Sequence, residues 1–270
     1  MNQIFTYRSA IDGKVGIGQL PVHLHPSLDL LANEYGHMIP NKASTTYHHY
    51  YNSLKESNTL LRQSFDHIQT DPFWRKICDG TPGCIMHNVV EMNEIYYSNP
   101  KPHFTNMNLY GAAANLIPHR DCVLFNFDGI RFYRVIIGLT ENNHDTITEF
   151  IRPQIEHKIN KGDYMIFDFD KTLHQVKKTG ITETPRILLK LHFIVCENCK
   201  YSEFYVYSIT HFYKLYYYVA RYTEQIGTDP TTFMGFFYGL LWEYPFYPEF
   251  KYVVFFLFAS IFSILYIREK

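Results

Sequence analysis

Between about Asn106 and Cys196 the chain alternates short apolar runs with short polar ones. Arg131–Thr140 reads RFYRVIIGLT, Thr146–Ile151 TITEFI, Tyr164–Phe169 YMIFDF and Arg186–Val195 RILLKLHFIV. Each run is rich in β-branched and aromatic residues, and turn-like segments such as ENNHD, NKGD and KKTG separate them, so each predicts a strand. No long amphipathic helix lies between the runs. A parallel doubly wound sheet is therefore disfavoured, and an antiparallel barrel or jelly roll is expected.

The flanks follow another rhythm. Thr59–Ile68 (TLLRQSFDHI) carries a helical signal, and Ser208–Tyr222 (SITHFYKLYYYVARY) reads as an amphipathic helix. Phe233–Trp242 (FMGFFYGLLW) is apolar enough to lie on a membrane surface. Tyr252–Ile267 (YVVFFLFASIFSILYI) has no charge and no polar face, and is framed by Lys251 and Arg268. A full span takes ~20 residues, but interfacial Tyr residues at both ends extend the run. The expectation is a single-pass C-terminal anchor, with the rest of the chain facing the cytosol. The organisation expected is an accessory region (1–100), a strand-rich core (101–200), an aromatic-rich helical extension (201–250) and the anchor (251–270).

Composition narrows the function classes. The chain has 270 residues, 46% of them hydrophobic and 19% charged, enough for one sizeable core. A net charge of −1 offers no basic field, so nucleic acid is not an expected partner. Five cysteines, no apolar run at the start and no N-x-S/T sequon point to a reducing location. Cys196 and Cys199 form a C-x-x-C, and Cys78 with Cys84 would complete four thiolates. The second spacing is loose for zinc, and a redox C-x-x-C belongs at a strand-to-helix entry, so neither use is favoured.

Residues 118–129, PHRDCVLFNFDG, can be spelled two ways. As H-R-D-x-x-x-x-N, from His119 to Asn126, the stretch matches a protein-kinase catalytic loop. The context does not: GKVGIG at Gly13–Gly18 is a loose glycine loop with no strand Lys after it, and β-patterned sequence follows where a kinase is helical. As H-x-D it supplies an imidazole and a carboxylate on one side of an extended segment, which suits a mononuclear Fe(II) site of two His and one carboxylate. The second imidazole must come from a distant strand. His174 is the best candidate, following the Gly162–Asp163 turn and an apolar strand in KGDYMIFDFDKTLHQV. Arg186 opens the next apolar run, where a strand paired beside that of His174 would carry a guanidinium inward to capture a carboxylate.

Other polar residues carry less. The adjacent His48 and His49 make a poor chelate and read as surface or packing residues. His144 and Asp145 sit in a polar turn, and His192 reads as packed within its strand. His103, Asn108 and Tyr110 precede the core, within reach of a pocket.

In their order, NLIPHRD, RFYRVIIGLT, GDYMIFDFDKTLHQV and PRILLKLHFIV resemble the double-stranded β-helix core of the 2-oxoglutarate- and Fe(II)-dependent dioxygenases. Within that superfamily they are most similar to the aspartyl/asparaginyl β-hydroxylase group, over about a third of the chain. The resemblance implies a mainly β fold with flanking helices and a cupin-like jelly-roll core, to which the sequence adds a C-terminal apolar helix. It implies iron held by His119 and His174, with Asp121 as the carboxylate ligand of the wider superfamily. Arg186 would hold the distal carboxylate of 2-oxoglutarate, and Arg134 would be a second cosubstrate contact. Ascorbate would be a supporting reductant. The implied activity consumes 2-oxoglutarate and O2 and hydroxylates an unactivated C–H bond, in a protein or peptide side chain or, beside a membrane, in an acyl chain. The chain departs from the group in carrying Asp121, which the group typically lacks, and in having Ile136 where the group tends to have His. A non-catalytic, membrane-tethered jelly-roll binding module is the reading from another class.

Overall fold

The computed structural model describes residues 4–37, 46–51, 59–78, 80–98, 118–121, 127–141, 146–178 and 186–227. The chain divides into two compact units, Met1–Tyr218 and Val219–Lys270. Of the second, only the helical backbone of residues 219–227 is described.

Eleven strands run through the first unit among the described residues: β1 Tyr7–Ser9, β2 Gly13–Gln19, β3 Thr46–Tyr50, β4 Ile85–Asn88, β5 Glu94–Ser98, β6 Ile130–Gly138, β7 Thr146–Phe150, β8 Ile155–His157, β9 Asp163–Asp168, β10 His174–Lys178 and β11 Arg186–Cys196. The α-helices are α1 His25–Gly36, α2 Thr59–Gln69 and α3 Glu203–Gly227. The larger sheet has the order β1-β2-β9-β6-β11-β5-β3, with β4 also paired to β11. The smaller has the order β10-β7-β8. Every pairing between these strands is antiparallel, and the chain crosses between sheets from β6 to β7, β8 to β9, β9 to β10 and β10 to β11. That is the alternation expected of a jelly-roll core.

Side-chain alternation along β11 explains the layers. Ile187, Leu189, Leu191, Phe193 and Val195 face a core shared with Leu28 and Leu31 of α1, Phe65 and Ile68 of α2, and Trp74. Trp74 is buried, and its indole N–H donates to the Ile68 carbonyl at 2.7 Å. On the other face Leu188 joins Ile136, Phe150, Met165 and Phe167 in a second core. Ile194 and Cys196 meet Val206, Ile209 and Tyr213 of α3 in a third. Each fully buried side chain of this size contributes roughly 1.5–3 kcal/mol, so both faces of β11 hold the fold together. Being covered on both sides, β11 reads in sequence as a largely apolar run, broken by Lys190 and His192.

Several expectations are corrected. The membrane anchor is not supported: no helix among the described residues is long and apolar enough to cross a membrane. The longest described helix, α3, has the length but carries Glu203, Lys214, Arg221 and Glu224. The stretch Tyr252–Ile267, on which both the anchor and the C-terminal apolar helix rested, lies outside the described residues, as does Phe233–Trp242. Residues 1–100, expected as an accessory region, supply β1 to β5 of the larger sheet. Cys78–Cys84 and Cys196–Cys199 are disulfides, so these four sulfurs are not thiolate ligands for zinc. Disulfides persist in oxidising environments, which runs against the reducing location expected from the odd cysteine count. Cys122 lies outside the described residues.

Candidate metal centre

His119 and His174, far apart in sequence, are cross-strand partners. Each backbone N–H donates to the other's carbonyl at 2.9 Å, forming an antiparallel bridge. The bridge brings the two rings to 4.5 Å between centroids. Asp121, two residues on, turns to the same side: its Oδ1 lies 3.8 Å from His119 Nε2 and its Oδ2 3.4 Å from His174 Nε2. One ligand atom from each residue falls within 4.8 Å of the others, and this trio could hold a metal ion. Bonds of about 2.1 Å place neighbouring donors roughly 3–3.5 Å apart, so a small contraction closes the trio on an ion.

Protonation suits such a role. His174 is buried between Phe167, at 4.7 Å, and Phe150, at 6.3 Å. Burial pushes its pKa down to about 4; Asp121 pulls the other way and does not prevail. Its Nδ1 lies 3.1 Å from the Thr172 carbonyl, so Nδ1 carries the proton as donor and Nε2 presents a lone pair to the cluster. Burial raises the cost of charge on Asp121. The Arg134 guanidinium beside it outweighs that cost and holds its carboxyl well below the usual range. The site thus combines a neutral imidazole with an ionised carboxylate, the forms a divalent metal requires.

Arg134 has partners within the chain. Its Nη1 donates to Asp121 Oδ2 at 2.6 Å, and its Nε donates to His192 Nε2 at 3.1 Å. Arg186 differs. β11 does not pair with β10, so the expectation that the strand of Arg186 lies beside that of His174 is corrected. The guanidinium reaches in from the opposite sheet, and its Nη2 donates to Thr148 Oγ1 on β7 at 3.3 Å. Its Nε is buried without a hydrogen-bond partner, and among the described residues no carboxylate pairs with it. Burial brings its pKa down to about 10, so the charge persists at neutral pH. Thr148 lies opposite Val176, and Phe150 opposite His174. The guanidinium therefore meets β7 two residues, or about 7 Å, along from the level of His174.

Sequence reading missed a buried ion pair on the same face: Lys190 Nζ lies 3.1 Å from Glu94 Oε1 and 3.7 Å from the centre of the Tyr96 ring. A lysine inside RILLKLHFIV was the available signal, because a charge in a strand buried on both faces needs a partner. His49 of β3 follows the packing expectation, its ring edge-on to Tyr35 at 5.4 Å. Asn126, His103, Asn108, Tyr110, His144 and Asp145 lie outside the described residues.

No protein-family model matches the chain, and no curated protein matches its sequence. Among solved structures the chain is similar to SnoN, a non-heme alpha-ketoglutarate-dependent epimerase from nogalamycin biosynthesis, with a TM-score of 0.44 and 10% identity, over 67% of this chain and 78% of that one. It is similar to the viral collagen prolyl hydroxylase of Paramecium bursaria Chlorella virus-1 at 0.41 and 15%, over 69% of this chain and 99% of that one. HygX from Streptomyces hygroscopicus, solved with nickel and 2-oxoglutarate, gives 0.41 and 10%, over 68% and 82%. Likeness at this level assigns no activity to this chain.

Proposed function

We propose that this chain is a 2-oxoglutarate- and Fe(II)-dependent dioxygenase that hydroxylates an unactivated C–H bond in a peptide side chain. His119, Asp121 and His174 would hold the iron, and Arg186 the distal carboxylate of 2-oxoglutarate. The observation that carries this reading is the convergence of two imidazoles and one carboxylate on one point of the sandwich interior. Such a donor set leaves metal positions open for other ligands. A second observation supports the cosubstrate: the buried Arg186 cation has a hydroxyl for a partner and no carboxylate among the described residues. A buried guanidinium in that state favours an anion, and its fork matches a carboxylate. Its offset from His174, about 7 Å along the strands, is on the scale of a five-carbon dicarboxylate.

When bound, iron and 2-oxoglutarate supply the oxidising chemistry, converting 2-oxoglutarate and O2 to succinate and carbon dioxide with transfer of one oxygen atom into a C–H bond. The chain's own residues bind, orient and exclude water. His174 stays neutral because it is buried, and its ring is turned by the Thr172 carbonyl. Phe150 and Phe167 are buried against it and keep that side dry. His119, more exposed than His174, marks the open side. The peptide side chain as substrate rests on the resemblance of the sequence to the aspartyl/asparaginyl hydroxylases. The acyl-chain alternative rested on the membrane segment, and no observation favours it.

The test is turnover. Purified protein with Fe(II), 2-oxoglutarate and O2 is expected to release succinate, and His174→Ala to lose both succinate release and metal binding. A folded protein that neither binds Fe(II) nor consumes 2-oxoglutarate would leave the binding module as the reading.

A further inference from the structure

Arg134 on β6 sits directly opposite His192 on β11, both on central strands of the larger sheet. Three contacts fix its guanidinium: Nη1 to Asp121 Oδ2 at 2.6 Å, Nε to His192 Nε2 at 3.1 Å, and the Phe169 ring 4.3 Å away. Arginine only donates, so the His192 nitrogen that it meets is bare, and the proton of that neutral ring is on Nδ1. His192 is itself immobilised. It is fully buried and stacked on Phe132 at 5.9 Å, and its backbone N–H donates to Asn93 Oδ1 at 2.8 Å. The Asn93 amide in turn donates to Gln69 Oε1 at 2.7 Å and Asn88 Oδ1 at 2.9 Å.

Asp121, by contrast, lies outside any strand, two residues beyond the bridge that holds His119. Its carboxylate needs a second restraint to keep one orientation. We propose that Arg134 and His192 are a positioning pair for this carboxylate: His192 fixes the guanidinium, and the guanidinium fixes Asp121 Oδ2 beside His174 Nε2, which turns Oδ1 to His119. This assigns Arg134 to the metal-binding carboxylate rather than to the cosubstrate. The inference rests on the reading of His119, Asp121 and His174 as a metal centre.

The test is a Co(II) titration of the purified protein without cosubstrate, read by the visible absorption of the bound ion, with folding checked by circular dichroism and Tm. Arg134→Lys keeps the charge but loses the planar fork, and His192→Leu loses the acceptor. Each is expected to weaken Co(II) binding about tenfold or more, the usual effect of losing a group that orients a ligand. The double variant should bind no more weakly than the weaker single one, because both act through one arrangement. His192→Gln, whose Oε1 can accept from Arg134 Nε, should restore affinity close to wild type. If the variants lower Tm while folded protein binds Co(II) like wild type, the pair is merely structural and the inference fails, with the metal centre intact. If wild type fails to bind Co(II), or His174→Ala binds it equally well, the metal-centre reading fails and takes the inference with it. Should Arg134→Lys not fold, the contrast between His192→Leu and His192→Gln decides alone.

Discussion

Replacing Arg186 by Met exchanges a buried cation for an apolar side chain of similar length, and the structure sets the sign of two separable effects. Burial lowers the guanidinium pKa from its usual high value to about 10. At ~1.4 kcal/mol per pH unit this is about 3 kcal/mol of unrecovered desolvation in the ligand-free protein. Removing it forfeits the bond to Thr148, worth about 1 kcal/mol. The ligand-free variant should therefore be more stable than wild type by about 1–2 kcal/mol, within the range for apolar replacement of buried charge. Urea unfolding of metal-free protein measures this directly. The second effect runs the other way. In Mn(II)-saturated wild type, 2-oxoglutarate at about a hundred times Kd should add about 2.7 kcal/mol, and in the Mn(II)-saturated variant it should add close to none. A variant that is less stable than wild type, yet keeps the full response to 2-oxoglutarate, would refute the reasoning and make Arg186 a structural residue.

Acid should weaken the fold through His174. Its pKa is lowered from 6.5 to about 4 by burial, so as pH falls the unfolded chain takes the proton first. The stability linked to neutral His174 is complete above about 6.5, declines as pH falls and is spent near 4, at most about 3 kcal/mol. Urea midpoints of metal-free wild type should fall from pH 7.5 to 4.5 more steeply than those of His174→Leu, and equal slopes would contradict this. Gly138→Ala should cost about 1–3 kcal/mol, since its Cβ would come within 2.0 Å of the Asn160 carbonyl oxygen, a backbone atom. Gly36→Ala meets nothing within 4 Å at the end of α1 and should be neutral or slightly stabilising in the same urea assay.

Strands of the core were legible because their burial is regular. RFYRVIIGLT, TITEFI, YMIFDF and RILLKLHFIV correspond to β6, β7, β9 and β11 within two residues at each end. Helix α3 begins at Glu203 rather than Ser208, and its start signal was local: Ser202 Oγ accepts from the Tyr205 N–H, as an N-cap side chain does. The short strands β1 to β5 were not legible. Their apolar residues are few, and pairing with β9, β11 and one another, not propensity, makes them strands. GKVGIG, a loose glycine loop by spelling, is an example. It lies in β2, where a Cβ at Gly16 would come within 2.0 Å of the Ile4 carbonyl oxygen.

The candidate site divides along the same line. By itself the sequence determined the H-x-D pair, because a period of two along an extended segment puts His119 and Asp121 on one side whatever the rest of the chain does. It also marked His174, in the strand after an apolar one, and Arg186, at the opening of an apolar strand. Only the tertiary structure decided that His174 is the backbone partner of His119, that Arg186 enters from the opposite sheet, and that Arg134 and His192 hold Asp121. These are choices of which strand lies beside which. They are set by crossovers between two sheets and by the burial those crossovers achieve together, quantities that no local stretch of residues encodes.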